Sequence, residues 1–178
     1  TNPRSCYPES KRTAETLCAS YLRQFQTDSV IARLCYVYGP AITNDNSRAD
    51  AQFLRNVINK QDIIMKSAGT QIRSYCYVND AISALFFILL YGKSGEAYNV
   101  ANKDSIVSIK EYAQTLATCG GVSLRFEIPD EIEKAGYSTV HRSVLDASKL
   151  EALGWRAQND IKQGIIKTLD IVKSNNIA

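Results

Sequence analysis

The sequence holds a single histidine, His141, and one methionine and one tryptophan in 178 residues. One imidazole excludes a histidine-rich metal site and leaves any Ser-His-Asp or Cys-His apparatus dependent on one residue. The five cysteines, Cys6, Cys18, Cys35, Cys76 and Cys119, are widely spaced among apolar neighbours and form no C-x-x-C pair. That pattern argues against metal or dithiol chemistry and for reduced core thiols in a cytoplasmic protein. Charge of one sign is also scarce: 21 Lys and Arg face 18 Asp and Glu, and the basic residues do not cluster beyond pairs such as Lys11-Arg12. The resulting +3 gives no electrostatic basis for binding nucleic acid or a membrane surface. Long apolar runs are missing too. The most apolar stretch, Ala81 to Tyr91, is about half the length that spans a bilayer, and Thr1-Asn2-Pro3-Arg4 has no signal-peptide core. Neither secretion nor membrane insertion is expected.

What remains is a chain with 45% hydrophobic residues, enough for a real core in one domain or in part of a larger one. Two periodicities alternate along it. Ala14, Leu17, Cys18, Tyr21, Leu22 and Phe25 lie at the three-and-four spacing of one helix face, and Pro8 and Glu9 suit the first turn of a helix starting near Tyr7. Val30 to Cys35 is short and β-branched and precedes Tyr38-Gly39-Pro40, which predicts a buried strand and a turn. A polar loop over 41–50, a helix over 51–59 with Leu54, Val57 and Ile58 inward, and a strand over 62–65 follow. Ile72 to Val78 reads as a strand. Asn79-Asp80 opens a helix through Leu90 whose apolar residues cover nearly every face, which predicts burial between layers.

Further on, Ala97 to Val100 reads as a strand, and Ser108-Ile109-Lys110-Glu111 has capping-box spacing ahead of a helix that Gly120-Gly121 ends. A strand over 122–128 and helices over 146–153 and 160–174 complete the pattern. Strands alternating with helices indicate an α/β sheet with crossovers. Tyr75, Tyr77 and Tyr98 are expected in the core, Asp80 at a helix start, and His141 on the surface. Asn44-Asp45-Asn46 lacks the glycine and spaced glutamate of a calcium loop, so no metal site is expected.

Tyr7 and Lys11 are four apart at a helix start, so their side chains emerge one turn from each other on one face. The pairing has chemical content. An ammonium about 4 Å from a phenol oxygen, at an effective dielectric near 20, favours the phenolate by about 4 kcal/mol. A phenol so placed can serve as general acid or base on a sugar hydroxyl.

Four blocks stand in order along the chain. They are Cys6-Tyr7-Pro8-Glu9-Ser10-Lys11-Arg12 with Ala14-Glu15, then Ala32 to Pro40, then Ile72-Arg73-Ser74-Tyr75-Cys76-Tyr77-Val78-Asn79-Asp80-Ala81, then Ala97-Tyr98-Asn99-Val100. Together they resemble the extended short-chain dehydrogenase/reductase family of nucleotide-sugar epimerases and dehydratases. The first block looks closest to UDP-glucuronate decarboxylases and dTDP-glucose 4,6-dehydratases. The resemblance covers essentially the whole chain, residues 1–178, as the C-terminal portion of such an enzyme. The implied fold is the last part of a Rossmann-like parallel sheet plus a small α/β substrate-binding subdomain.

The resemblance also implies a bound NAD that takes a hydride from a nucleotide-diphosphate sugar and later returns it. On that pattern Tyr7 is the acid/base for the sugar 4-hydroxyl, and Lys11 holds the nicotinamide ribose and eases proton loss from Tyr7. Tyr36 and Val37 sit where a strand end meets nicotinamide and substrate. Gln52 falls at a substrate-binding position, and Arg73 and Arg142 match arginines that contact the diphosphate, which suits the two-pronged guanidinium. The family commonly forms homodimers through a helix bundle that includes the Tyr-Lys helix.

The sequence departs from the pattern at Tyr36, where the two closest subfamilies carry asparagine. It also holds no G-x-G-x-x-G or G-x-x-G-x-x-G loop, which the family places well over a hundred residues before the first block. The 178-residue chain alone is therefore expected to be inactive. Two other readings stay open: a non-catalytic binding or assembly module of the same fold, and an NADPH-dependent sugar-nucleotide reductase.

Overall fold

A computed structural model describes residues 5–43, 45–127, 129 and 140–174. The first helix, α1 (Cys6–Phe25), keeps Tyr7 helical although Pro8 follows it, and ends at Gln26 in the left-handed conformation. The next segment forms two strands in line. β1 (Ile31–Leu34) pairs in parallel with β5 (Ala97–Val100), and β2 (Tyr36–Tyr38) moves across to pair in parallel with β4 (Ile72–Tyr77). The change of partner falls at Cys35, whose N–H still donates to the Val100 carbonyl at 3.0 Å. The strand expected over Val30 to Cys35 thus runs on to Tyr38.

β4 organises the structure. Beyond β2 it pairs antiparallel with β6 (Ile106–Ser108) and in parallel with β8 (Arg142–Ser143). Both short strands are absent from the sequence prediction, because two or three residues are too few to display a period. A separate parallel pair joins β3 (Ile63–Met65) to β7 (Leu124–Phe126). The strand expected over 122–128 is this β7; Ile128 lies outside the described residues.

Alternation along β4 sends its side chains into two cores. Tyr75 and Tyr77 enter the first, with α2 (Ala49–Ile58), α4 (Ile109–Gly120) and α6 (Ile161–Ser174), where Leu54, Val57, Leu116, Ile165 and Leu169 are buried. Cys76 enters the second, with α3 (Val78–Tyr91), β5 and α5 (Ser148–Ala152), beside Ile88, Leu150 and Trp155. The one tryptophan is satisfied there, its Nε1–H donating to Ser83 Oγ at 3.0 Å. α4 starts as predicted: Ser108 Oγ accepts from the Glu111 N–H at 3.1 Å, and Glu111 Oε2 accepts from the Ser108 N–H at 2.7 Å. Its end at Gly121 takes φ 72°, which favours glycine.

Asp80 lies in the first turn of α3, as expected, and is fully buried. Its carboxylate accepts from the N–H groups of Gln158 and Asn159 at 3.2 and 3.0 Å and from Asn159 Nδ2 at 3.0 Å. It ties the segment before α6 to the start of α3.

Two expectations need correction. α3 is covered on one side only: Ala81, Ala84 and Ile88 are buried, while Phe86, Leu89, Leu90 and Tyr91 are more than 60% exposed. An apolar sequence says that a helix can be buried, and among the described residues only one layer packs against this one. Likewise all five thiols are free, but Cys76 alone is fully buried and Cys6 is exposed. No helix among the described residues is long and apolar enough to cross a membrane.

Candidate active site

Tyr7 projects from the first turn of α1 and is 70% exposed. Lys11 reaches back over it with Nζ 5.4 Å from the ring centroid, so the four-residue spacing does bring ammonium and phenol together. The ammonium lies over the ring face, a cation–π contact. α1 contributes no buried residue. It is tied to β1 by a bidentate ion pair, Arg33 Nε to Glu15 Oε1 at 2.7 Å and Nη2 to Oε2 at 2.6 Å. Those hydrogen bonds hold the Glu15 carboxyl below its usual range. β1 leads through Cys35 to Tyr36 and Val37, so the chain itself links the helix to the strand end.

Tyr36 stands at the start of β2, with Tyr75 as its cross-strand partner and their ring centroids 5.9 Å apart. Two guanidinium groups lie over its ring, Arg48 at 5.1 Å and Arg73 at 5.7 Å from the centroid. Arg48 is neutralised by Asp50, with Nε–Oδ1 at 3.0 Å and Nη2–Oδ2 at 2.8 Å. Arg73 is different. It is 3% exposed and, among the described residues, donates to the carbonyl oxygens of Ile72 and Val140, both at 2.9 Å. No carboxylate among the described residues pairs with it. A buried cation without a counter-ion is a costly arrangement unless an anion comes to it.

Arg73 lines an open cleft of about 710 Å³ between α2 and the starts of β4 and α4. Gln52, Phe53 and Gln71 share its wall, over a floor that includes Met65. The structure therefore gathers Gln52, Arg73 and, through the Arg73 guanidinium, Tyr36. Arg142 is placed apart. Its Cα partner on β4 is Ile72, so it stands on the face opposite Arg73, and it lines a second cleft of about 370 Å³ with Lys103 and Asp146. The expectation that both arginines contact one diphosphate is not matched by their placement on this sheet, because register partners share a face.

Burial sorts the tyrosines by possible role. Tyr75 stacks on Tyr112 with centroids 4.7 Å apart, and Tyr38 packs edge-on against Tyr112 at 5.7 Å. Desolvation pushes the phenols of Tyr38, Tyr75 and Tyr112 well above their ordinary value, so none of them exchanges a proton near neutrality. Tyr7 and Tyr36, by contrast, are exposed, as are Tyr21 and Tyr91 away from the cleft. The residues present suit the ribose end of NAD, with an exposed phenol and ammonium on one helix face, whereas the sequence holds no glycine-rich loop for the pyrophosphate. Two residues at the site carried no sequence signal. Arg48 sits in a polar loop, and Gln71 precedes a strand without belonging to any motif spacing.

A mixed α/β sheet thus carries an exposed Tyr-Lys pair on one helix and, beside its central strand, a cleft with Arg73 on its wall. The family model described as NAD dependent epimerase/dehydratase family matches residues 1–101, more than half of the chain, and the chain belongs to that family. UDP-glucuronic acid decarboxylase 3 of Arabidopsis thaliana is 30% identical over 162 residues, which cover 91% of this chain and 46% of that protein. The dTDP-D-glucose 4,6-dehydratase of Homo sapiens is 29% identical over 178 residues, covering 98% of this chain and 49% of that protein. These are the two subfamilies that the first sequence block resembles. The crystal structure of dTDP-glucose 4,6-dehydratase from Bacillus anthracis in complex with NAD has a TM-score of 0.81 at 20% identity, over 99% of this chain and 54% of that one. That likeness shows the fold. The chain spans about half the length of the curated relatives it matches.

Proposed function

We propose that residues 1–178 form the catalytic-helix and substrate-binding portion of an NAD-dependent nucleotide-sugar epimerase/dehydratase. Arg73 carries the reading: a buried guanidinium with no carboxylate partner among the described residues, on the wall of a cleft large enough for a nucleotide. A diphosphate supplies the missing negative charge and accepts the remaining N–H donors. Gln52 lies on the same wall and orients the ligand from α2.

When bound, NAD supplies the hydride acceptor and donor. Tyr7 takes the proton from the sugar hydroxyl oxygen as the carbon loses hydride, and returns it when hydride comes back. Lys11, one turn away, holds the ribose and favours the phenolate. Tyr36 and Val37 border the space where sugar and nicotinamide meet. The glycine-rich loop belongs to the part of the enzyme that the chain does not include, so the 178 residues alone have no turnover. The exposed stripe of Leu17, Tyr21 and Phe25 on α1 supports a homodimer built on a helix bundle, which light scattering tests.

In the full protein, Tyr7→Phe is expected to lower turnover of a nucleotide-diphosphate sugar by about 10²- to 10⁴-fold, the contribution of one general acid–base group, while nucleotide binding stays. Release of NAD(H) on denaturation of the purified protein is the companion measurement. Full activity in the variant together with no released nucleotide would sink the reading.

A further inference from the structure

One polar atom in the cleft lacks a partner. Gln71 Oε1 is buried and accepts no hydrogen bond, although its residue lines the same wall as Arg73. Leaving a buried carbonyl acceptor unpaired is costly, so an acceptor held this way on the wall of an open cleft is poised for a donor from a ligand.

The order of residues along β4 says which part of the ligand reaches it. Gln71, the residue before β4, lines the cleft with Arg73, and Arg73 and Tyr75 share one side of the strand, at steps of about 7 Å. Tyr36 pairs with Tyr75 and so lies at the far end of this row. With the sugar at Tyr36 and Val37 and the diphosphate at Arg73, as the proposed function has it, the nucleoside extends the other way, towards Gln71. There the carboxamide offers an acceptor, Oε1, and a donor, Nε2, side by side. The imide edge of uracil or thymine presents the complement, an N3–H donor beside a carbonyl acceptor.

We propose that Gln71 reads the base of the bound nucleotide, its Oε1 accepting the imide N3–H of a uracil or thymine nucleoside diphosphate. The inference rests on the nucleotide-sugar reading and adds to it the base and the residue that selects it. The neighbouring geometry favours a fixed reader, since the Gln71 carbonyl is held by the Ile109 N–H at 3.0 Å at the start of α4.

Titration calorimetry on the full protein compares UDP, dTDP and N3-methyl-UDP, which keeps the diphosphate and carries a methyl group in place of the imide hydrogen. UDP and dTDP are expected to bind about tenfold or more tightly than N3-methyl-UDP, the scale of a ligand that leaves a built polar contact unpaired. In Gln71→Leu that ratio should fall to near one, through weaker UDP binding. Equal binding of UDP and N3-methyl-UDP to the unaltered protein overturns the role of Gln71 and leaves the cleft as a diphosphate site. Absence of binding by all three overturns the nucleotide-sugar reading, and this inference with it.

Discussion

α1 and α4 have comparable apolar periodicity and opposite fates. α4 buries Tyr112, Ala113, Leu116 and Ala117 against α2 and α6, is capped at both ends, and forms part of the wall behind the cleft. α1, the longest helix among the described residues, buries nothing and is held by one ion pair and by Leu22, which lies beside Gly95. Tyr7 and Lys11 stand on the uncovered helix, while Arg73 and Gln71 stand on the covered half. Periodicity thus specifies which face can be buried, and the neighbours decide whether it is. The cleft is walled by a finished core, and the Tyr-Lys pair lies on a helix that buries nothing.

The sharpest way to test that contrast is the same truncation on each helix. Leu116→Ala empties a fully buried site and should lower the unfolding free energy by about 2–5 kcal/mol in urea denaturation. Leu17→Ala, on the half-exposed face of α1, should change it by less than about 0.5 kcal/mol. Equal losses would mean that α1 is packed in solution, and the comparison would fail.

A smaller effect belongs to the α4 cap. Ser108→Ala removes the hydrogen bond to the Glu111 N–H and should cost about 1 kcal/mol. The partner half of this capping box titrates. Hydrogen bonds from the Ser108 backbone and side chain keep the Glu111 carboxyl below its ordinary value. A group depressed in the folded state stabilises above its unfolded pKa, about 4.3 for Glu. That contribution is lost as pH falls through the folded value. Denaturation midpoints from pH 6 downwards should therefore drop less steeply in Glu111→Gln than in the parent; parallel curves would show the carboxylate to be idle.

The smallest change is expected where α1 is tethered. Arg33→Met breaks the pair with Glu15, and because Arg33 is half exposed the loss of global stability should stay within about 0.2–1 kcal/mol and shrink with salt. Amide exchange along α1 should nonetheless accelerate while that of α4 is unchanged. Uniform acceleration would show that the two helices unfold as one unit.

Much of this was legible from residues alone. The α/β alternation, the α1 start near Tyr7, the Ser108–Glu111 capping box and the buried Tyr75, Tyr77 and Tyr98 all follow from local rules and recur in the structure. Where prediction failed, the cause was non-local. β6 and β8 exist because β4 offers open edges, and neither is long enough to announce itself. The apolar residues of α3 gave no sign that half of them would face away from every described layer. At the site, the Tyr7–Lys11 spacing and Arg73 within its block were visible. The opposition of Arg142 to Arg73 depends on a strand register that no spacing in the chain encodes.

The sequence by itself determined the helix faces, their caps, the order of strands and the block pattern that carries the family, because each depends on residues a few positions apart. The tertiary structure alone decided which faces were covered, that Arg73 is buried without a carboxylate among the described residues, and that Gln71 keeps an unpaired acceptor in the cleft beside it. Those are properties of desolvation. Whether a charge or a carbonyl has lost its water depends on every element packed around it, and those elements come from distant parts of the chain.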